Sequence, residues 1–208
     1  MARDLRVYTG AQVESGFPEI QARHTHSSLE ALHDLYPTAE PKVLERLSPL
    51  VRQALGSALR LDYLPVMVDL EVAAAIRDEL GSRGARAVAR ESLRRTLHGN
   101  LLGGLVRLAT VLFGNTPAGL LKLSERGYAQ ICRDCGTLRL ASAGEKEADL
   151  RLDHLPQELN LPSYLDAMAG ALEAFFDLCG VEGEVRFEPW PGGARFMLHW
   201  TPRRAQLD

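Results

Sequence analysis

The chain has 208 residues, 46% hydrophobic and 25% charged, with a formal net charge of −3. That is the make-up of an ordinary globular protein, long enough to bury a core without disulfide staples. The acidic balance gives no general attraction for nucleic acid or an anionic membrane. An odd count of three cysteines argues against a secreted disulfide framework. No apolar run follows Met1 to Arg6, as a signal peptide would require, so a cytoplasmic setting is expected. The most apolar stretch, Leu101 to Phe113, is too short to span a membrane and is broken by Arg107. It reads as a buried core helix.

In chain order, residues 1 to 27 read as a loosely structured segment. Leu5, Val7 and Tyr8 suggest an edge strand or hairpin, and residues 16 to 27 read as loop. A helical part is expected from 28 to 135. Ser27 or Ser28 caps a first helix that Pro37 ends. A second helix runs from Pro41 to Leu47. Ser48-Pro49, a cap followed by proline, opens a third, to about Leu59. The clearest helix starts near Val66, with Leu70, Ala73, Ala74 and Ile76 mostly on one face, and stops at Gly81. Ser82 caps a helix to Leu97 with arginines 83, 86, 90, 94 and 95 mostly outward. Another helix spans Leu101 to Phe113, and Thr116-Pro117 opens one reaching about Cys132.

The period then changes from helical to alternating. Gly136 to Ser142 and Ala148 to Leu155 alternate as the two strands of a hairpin. A helix follows over residues 163 to 178, closed by Gly180. A last hairpin joins Glu184–Glu188 to Ala194–Trp200. The expected fold class is α+β: a helix-rich first two thirds, then β-β-α-β-β, forming a four-stranded antiparallel sheet over residues 136 to 201 covered by helices. No linker or repeat divides the chain, so residues 1 to 208 are expected to form a single domain.

Several stretches carry a family resemblance. They are Leu64-Pro65-Val66-Met67-Val68-Asp69 ahead of Ala73 to Ile76, the Leu80-Gly81 stop, Asn115 to Leu121, and Phe196-Met197-Leu198-His199-Trp200. On these, residues 40 to 200 resemble a family of bacterial proteins of unknown function. Its fold is similar to the heme-NO-binding domain and the vinyl-reductase type of small-molecule-binding domain. The resemblance implies a ligand pocket between helices and sheet. Vinyl-reductase-type chains often carry cysteines in the last hairpin, where this chain has Trp190-Pro191-Gly192-Gly193. The heme-NO-binding domain uses a Tyr-x-Ser-x-Arg motif on the heme propionates, whereas Tyr128 to Arg133 reads Tyr-Ala-Gln-Ile-Cys-Arg.

Cys132 and Cys135 stand at C-x-x-C spacing. A structural zinc needs four ligands, and no partner pair lies nearby. A redox dithiol wants a helix N-terminus, and this pair follows a helix C-terminus. Reduced, packed thiols are the expectation and no metal is expected; Cys132 and Cys135 are the metal candidates if there is one, ahead of the alternating His24 and His26, which could bind a metal from a strand. His24, His26 and His33 read as a solvated loop and helix start. His98 ends an arginine-rich helix, where it can cap carbonyls; facing a pocket, it could ligate heme, as the related fold does with one histidine. No catalytic signature appears, which favours a binding module over an enzyme.

The leading expectation is therefore a regulatory or sensory module with a small apolar ligand in a pocket near His98, Phe113 and Tyr128. The alternatives are a homodimeric or partner-binding scaffold, and a heme or metal sensor. No resident cofactor is expected under the leading reading.

Overall fold

The computed structural model describes residues 17–98 and 103–202, without the side chains of His98, Leu105, Val106, Ala109 and Pro202. The proposed strand or hairpin at Leu5 to Ser15 lies outside these residues. The chain is α+β, as expected: helices first, then a four-stranded antiparallel sheet.

Residues 16 to 27 are not loop. Glu19–Gln21 form β1, and α1 (Ala22–Leu35) begins at once. Ser27 and Ser28 therefore lie inside α1 and do not cap it. β1 is the middle strand of a small sheet between β2 (Tyr63–Pro65) and β3 (Cys132–Arg133), pairing Ile20 with Leu64 on one side and Cys132 on the other. Pairings this short and this distant in sequence leave no periodic signal. The sequence expectation failed for that reason.

Between β1 and β2 come α1, α2 (Glu40–Arg46) and α3 (Pro49–Ser57). The Ser48 cap is real, since its hydroxyl accepts from the Val51 N–H. The long α4 (Val66–His98) bends at Gly81, whose φ of 70° and ψ of 177° break the helical path. The expected stop is thus a kink between two helical halves. Ser82 does not cap the second half; its hydroxyl donates to Asp166 at 2.8 Å.

After α4 come α5 (Gly103–Phe113), α6 (Pro117–Leu121) and α7 (Ser124–Ile131). Thr116 caps α6 through the Gly119 N–H, but the helix expected to run on to Cys132 breaks at Lys122 and Leu123. α5 is no core helix. Leu108, Val111, Leu112 and Phe113 are exposed, Val111 to 81%. These four apolar side chains face outward, which composition alone could not reveal.

The main sheet follows the expected plan. β4 (Thr137–Ala143), β5 (Glu147–Asp153), β6 (Val181–Trp190) and β7 (Gly193–Pro202) are ordered β4-β5-β7-β6. Alternation puts Ala148, Leu150 and Leu152 on the buried face, opposite Leu198, Phe196 and Ala194. That face packs on α8 (Pro162–Cys179), which presents Leu165, Leu172 and Phe176 and ends at Gly180 with φ 65°. α8 also lies against α4. Gly170 permits this approach: a Cβ there would stand 2.3 Å from the Arg86 carbonyl oxygen.

The α4–α8 seam is ionic as well as close. Asp166, 3% exposed, accepts from Arg77 Nε at 2.8 Å, Ser82 Oγ at 2.8 Å and Arg86 Nε at 3.1 Å. Arg90 makes two bonds of 2.6 Å with Asp177. Of the arginines expected to face solvent, Arg86 and Arg90 instead tie the second half of α4 to α8.

Candidate functional site

A cavity of about 110 Å³ lies where α4, α7 and α8 meet β1, β3 and β4. Its wall is chiefly apolar, with Ile20, Leu93, Leu97, Leu138 and Phe175 among the residues facing it. The two halves of α4 both contribute: Asp69 from the first, Leu93 and Leu97 from the second. A few polar side chains interrupt the apolar wall, which is the general make-up of small-molecule sites.

Those polar groups are arranged as a set. Tyr128 on α7 donates its hydroxyl to the Cys135 carbonyl at 2.7 Å and lies 2.8 Å from the Tyr164 hydroxyl of α8. A carbonyl only accepts, so the single Tyr128 proton goes there. The Tyr164 proton must then point at Tyr128. Burial pushes both phenol pKa values far above the usual tyrosine range. Asp69, 7% exposed, accepts from Thr25 of α1 at 2.8 Å. Ser124 donates to the Leu121 carbonyl at 2.6 Å. His24, on the first turn of α1, also lines the cavity. Its Nδ1 is buried and has no hydrogen-bond partner.

Cys132 lines the same cavity, and Cys135 is 1% exposed, its thiol 3.1 Å from the Arg133 carbonyl. Asp134 and Gly136, at φ 53° and 88°, turn the chain between β3 and β4. The hydrogen bond with Cys135, together with burial, raises the Cys132 thiol pKa well above its usual value. Burial lifts Cys179 to about 11. None of this favours thiolate. Among the described residues, no group of three or more His, Cys, Asp or Glu is placed to hold a metal ion.

The sequence candidates separate. Tyr128 is on the cavity wall. Phe113 does not line it; it is 42% exposed on α5, with the Lys122 ammonium 4.5 Å from its ring centroid. His98 is the last residue of α4, and its side chain is outside the described set. His24, read from sequence as part of a solvated loop, is instead on a helix and against the cavity. Two cavity residues differ in the signal they carried. Asp69 interrupts the apolar stripe Val66, Leu70, Ala73, Ile76, and a charge on a buried face calls for an explanation. His24 had no such signal, because β1 and the start of α1 gave no pattern.

No protein-family model matches the chain, and no curated protein matches it. Solved structures do. An H-NOX protein from K. algicida, described as Fe(II) and unliganded, aligns with a TM-score of 0.61 at 8% identity, covering 91% of this chain and all of that one (100%). A Cs H-NOX variant aligns at 0.58 and 12% identity over 91% of this chain and 100% of that one. A point mutant of T. Tengcongensis H-NOX aligns at 0.57 and 13% identity over 89% of this chain and 98% of that one. The chain has an H-NOX-like fold; at these identities the likeness concerns fold.

The expectation of no resident cofactor does not stand beside these neighbours. Their descriptions name Fe(II), heme distortion and porphyrin distortion. The lining suits a heme iron in one respect: it offers an imidazole, that of His24, in an apolar surround. The closed volume does not, because about 110 Å³ lies below the range of cofactor pockets. Uptake of a tetrapyrrole would need the cavity to widen.

Proposed function

We propose that this protein is a sensor domain that takes an apolar ligand into the cavity between α4, α7 and α8, and that heme is that ligand. The observation that carries the reading is the apolar cavity at the junction of the helical part and the sheet, with His24 among the residues that line it. The shared fold with heme proteins supports it. Bound heme would supply an iron centre able to take an exogenous ligand.

The chain's own residues have separate tasks. Leu93, Leu97, Leu138 and Phe175 exclude water from the site. The Tyr164–Tyr128–Cys135 chain fixes α7 against α8 and the β3–β4 turn. Leu93 and Leu97 sit on the second half of α4, whose far end is held by Asp166. Occupancy that shifts this half-helix would therefore load the Asp166 contacts, which gives a regulatory output a physical route. Native mass spectrometry after hemin reconstitution tests the reading: one heme per chain supports it, and no retained heme removes it.

A second reading, a homodimer or partner-binding protein, is favoured by the exposed stripe Leu108, Val111 and Leu112 on α5. Val111→Lys, followed by sedimentation, tests it: a monomeric wild type would count against self-association.

A further inference from the structure

A second concavity runs along the α4–α8 seam. It is an open groove of about 520 Å³, bounded by Ser82, Arg83, Arg86, Ala87 and Arg90 of α4 and Glu173 of α8. That volume is in the range of small-molecule sites. The groove shares no residue with the lining of the apolar cavity. Arg83, Arg86 and Arg90 recur at spacings of three and four, so one face of α4 delivers three guanidinium groups to one place.

Two of the three are held from behind. Arg86 gives Nε to Asp166 at 3.1 Å and Nη1 to the Val185 carbonyl at 2.9 Å, and its guanidinium carbon lies 5.6 Å from the Phe187 ring centroid. Arg90 gives Nε and Nη2 to Asp177, each at 2.6 Å. Arg86 Nη2 and Arg90 Nη1 make no hydrogen bond among the described residues. Arg83 is exposed, and among the described residues no carboxylate is paired with it. An oxyanion in the groove would meet a free guanidinium beside two whose planes are already oriented, so little side-chain freedom is lost on binding.

Glu173 narrows the chemistry. Its side chain is only 14% exposed and lies 3.6 Å from Arg86 Nη1 and 3.9 Å from Arg90 Nη1. Both distances are too long for hydrogen bonds. Burial pushes its carboxyl pKa above the usual value, against the pull of both arginines. An anion without a proton would set like charges side by side at Glu173. An anion that keeps one acidic proton can share it with that carboxylate. Sulfate has no such proton near neutral pH. Phosphomonoesters, with a second pKa of about 6, do.

We propose that this groove binds the phosphate group of a small phosphomonoester, with Arg83, Arg86 and Arg90 as donors to its oxygens and Glu173 as acceptor of its remaining proton. The space beyond the phosphate takes the organic part of the ester. The site is independent of the apolar cavity and of what the cavity holds.

The test is isothermal titration calorimetry of the full chain at about pH 6, where the monoester keeps its proton, with inorganic phosphate, phenyl phosphate and sulfate. The wild type should bind one phosphate per chain, phenyl phosphate at least as tightly, and sulfate at least about tenfold more weakly. Arg83→Ala removes a side chain with no partner, so the fold is untouched, and should weaken phosphate about tenfold. Arg126→Ala, which deletes an exposed charge on α7, should leave phosphate binding unchanged. Glu173→Gln, checked for folding by circular dichroism, should bring sulfate within about twofold of phosphate. The proposal is overturned by no saturable phosphate binding, by phenyl phosphate binding more weakly than phosphate, or by equal affinity for phosphate and sulfate in the wild type. Equal losses in Arg83→Ala and Arg126→Ala, or continued rejection of sulfate by folded Glu173→Gln, would overturn it too. Hemin uptake is read separately and is untouched by any of these outcomes.

Discussion

Tyr128 and Tyr164 share a hydrogen bond of 2.8 Å whose direction is set by a third group, the Cys135 carbonyl 2.7 Å from Tyr128. The two residues are consequently unequal. Tyr128 both gives and receives; Tyr164 only gives. Tyr128→Phe strands the Cys135 carbonyl and the Tyr164 proton together and should cost about 2–4 kcal/mol. Tyr164→Phe removes one donor and leaves Tyr128's own bond intact, so about 1 kcal/mol is expected. Urea unfolding of the two variants checks the order. Equal losses would contradict the assigned direction.

The same pair fixes an alkaline limit. Both phenols are held neutral by burial, so their folded pKa values exceed the unfolded value near 10. Below about pH 10 both states keep the protons and stability is unaffected by them. Above it the unfolded chain releases protons that the folded chain retains. Stability should then fall by about 1.4 kcal/mol per pH unit per tyrosine. Denaturant midpoints between pH 9 and 11 read this directly, and Tyr164→Phe should halve the slope that these two groups contribute.

Asp166 joins the two halves of α4 to α8 through Arg77, Ser82 and Arg86. Burial pushes its pKa up, but the bonds from Arg77, Ser82 and Arg86 outweigh this and hold it below the usual carboxylate value. Its stabilisation is therefore present above the unfolded value near 4 and is lost as pH falls through the lower folded value. Asp166→Asn should cost about 2–3 kcal/mol at pH 7, below the full cost of a broken buried pair because the arginines are partly solvated. The deficit should shrink below pH 4. A deficit that is constant from pH 7 to 3 would show that charge is not its source.

Gly170 and Arg86 define the closest helix contact. Gly170→Ala places a Cβ 2.3 Å from the Arg86 carbonyl oxygen and 2.7 Å from its Cα. Backbone cannot rotate away as a side chain can, so about 2 kcal/mol or more of destabilisation is expected. Gly127→Ala, on α7, meets nothing within 4 Å and should gain about 0.5–1 kcal/mol from helix propensity. Thermal melts of both variants separate the effects. A neutral Gly170→Ala would mean that α4 and α8 stand further apart than described.

How much of this was legible in the sequence depends on the kind of signal. The β5 and β7 strands declared themselves through alternation, and Ser48, Thr116 and Gly180 marked helix ends by cap chemistry that the structure repeats. Those signals are local. Ile20 pairing with both Leu64 and Cys132 is not, and without it the start of α1 and the place of His24 were invisible. The outward face of α5 was misread for a related reason: an apolar run predicts burial only when something covers it, and coverage is a tertiary property. Arg86 and Arg90 were misread as solvated because their acidic partners lie on α8, 80 and 87 residues further on.

The central claim is that the cavity between α4, α7 and α8 is a heme site. Its most direct test is hemin titration of the wild type beside Ala171→Phe, which fills the cavity from α8. The account predicts a saturable Soret band at one heme per chain in the wild type and its loss in Ala171→Phe, with both proteins folded by circular dichroism. A wild type without that band, or an undiminished band in folded Ala171→Phe, would contradict it.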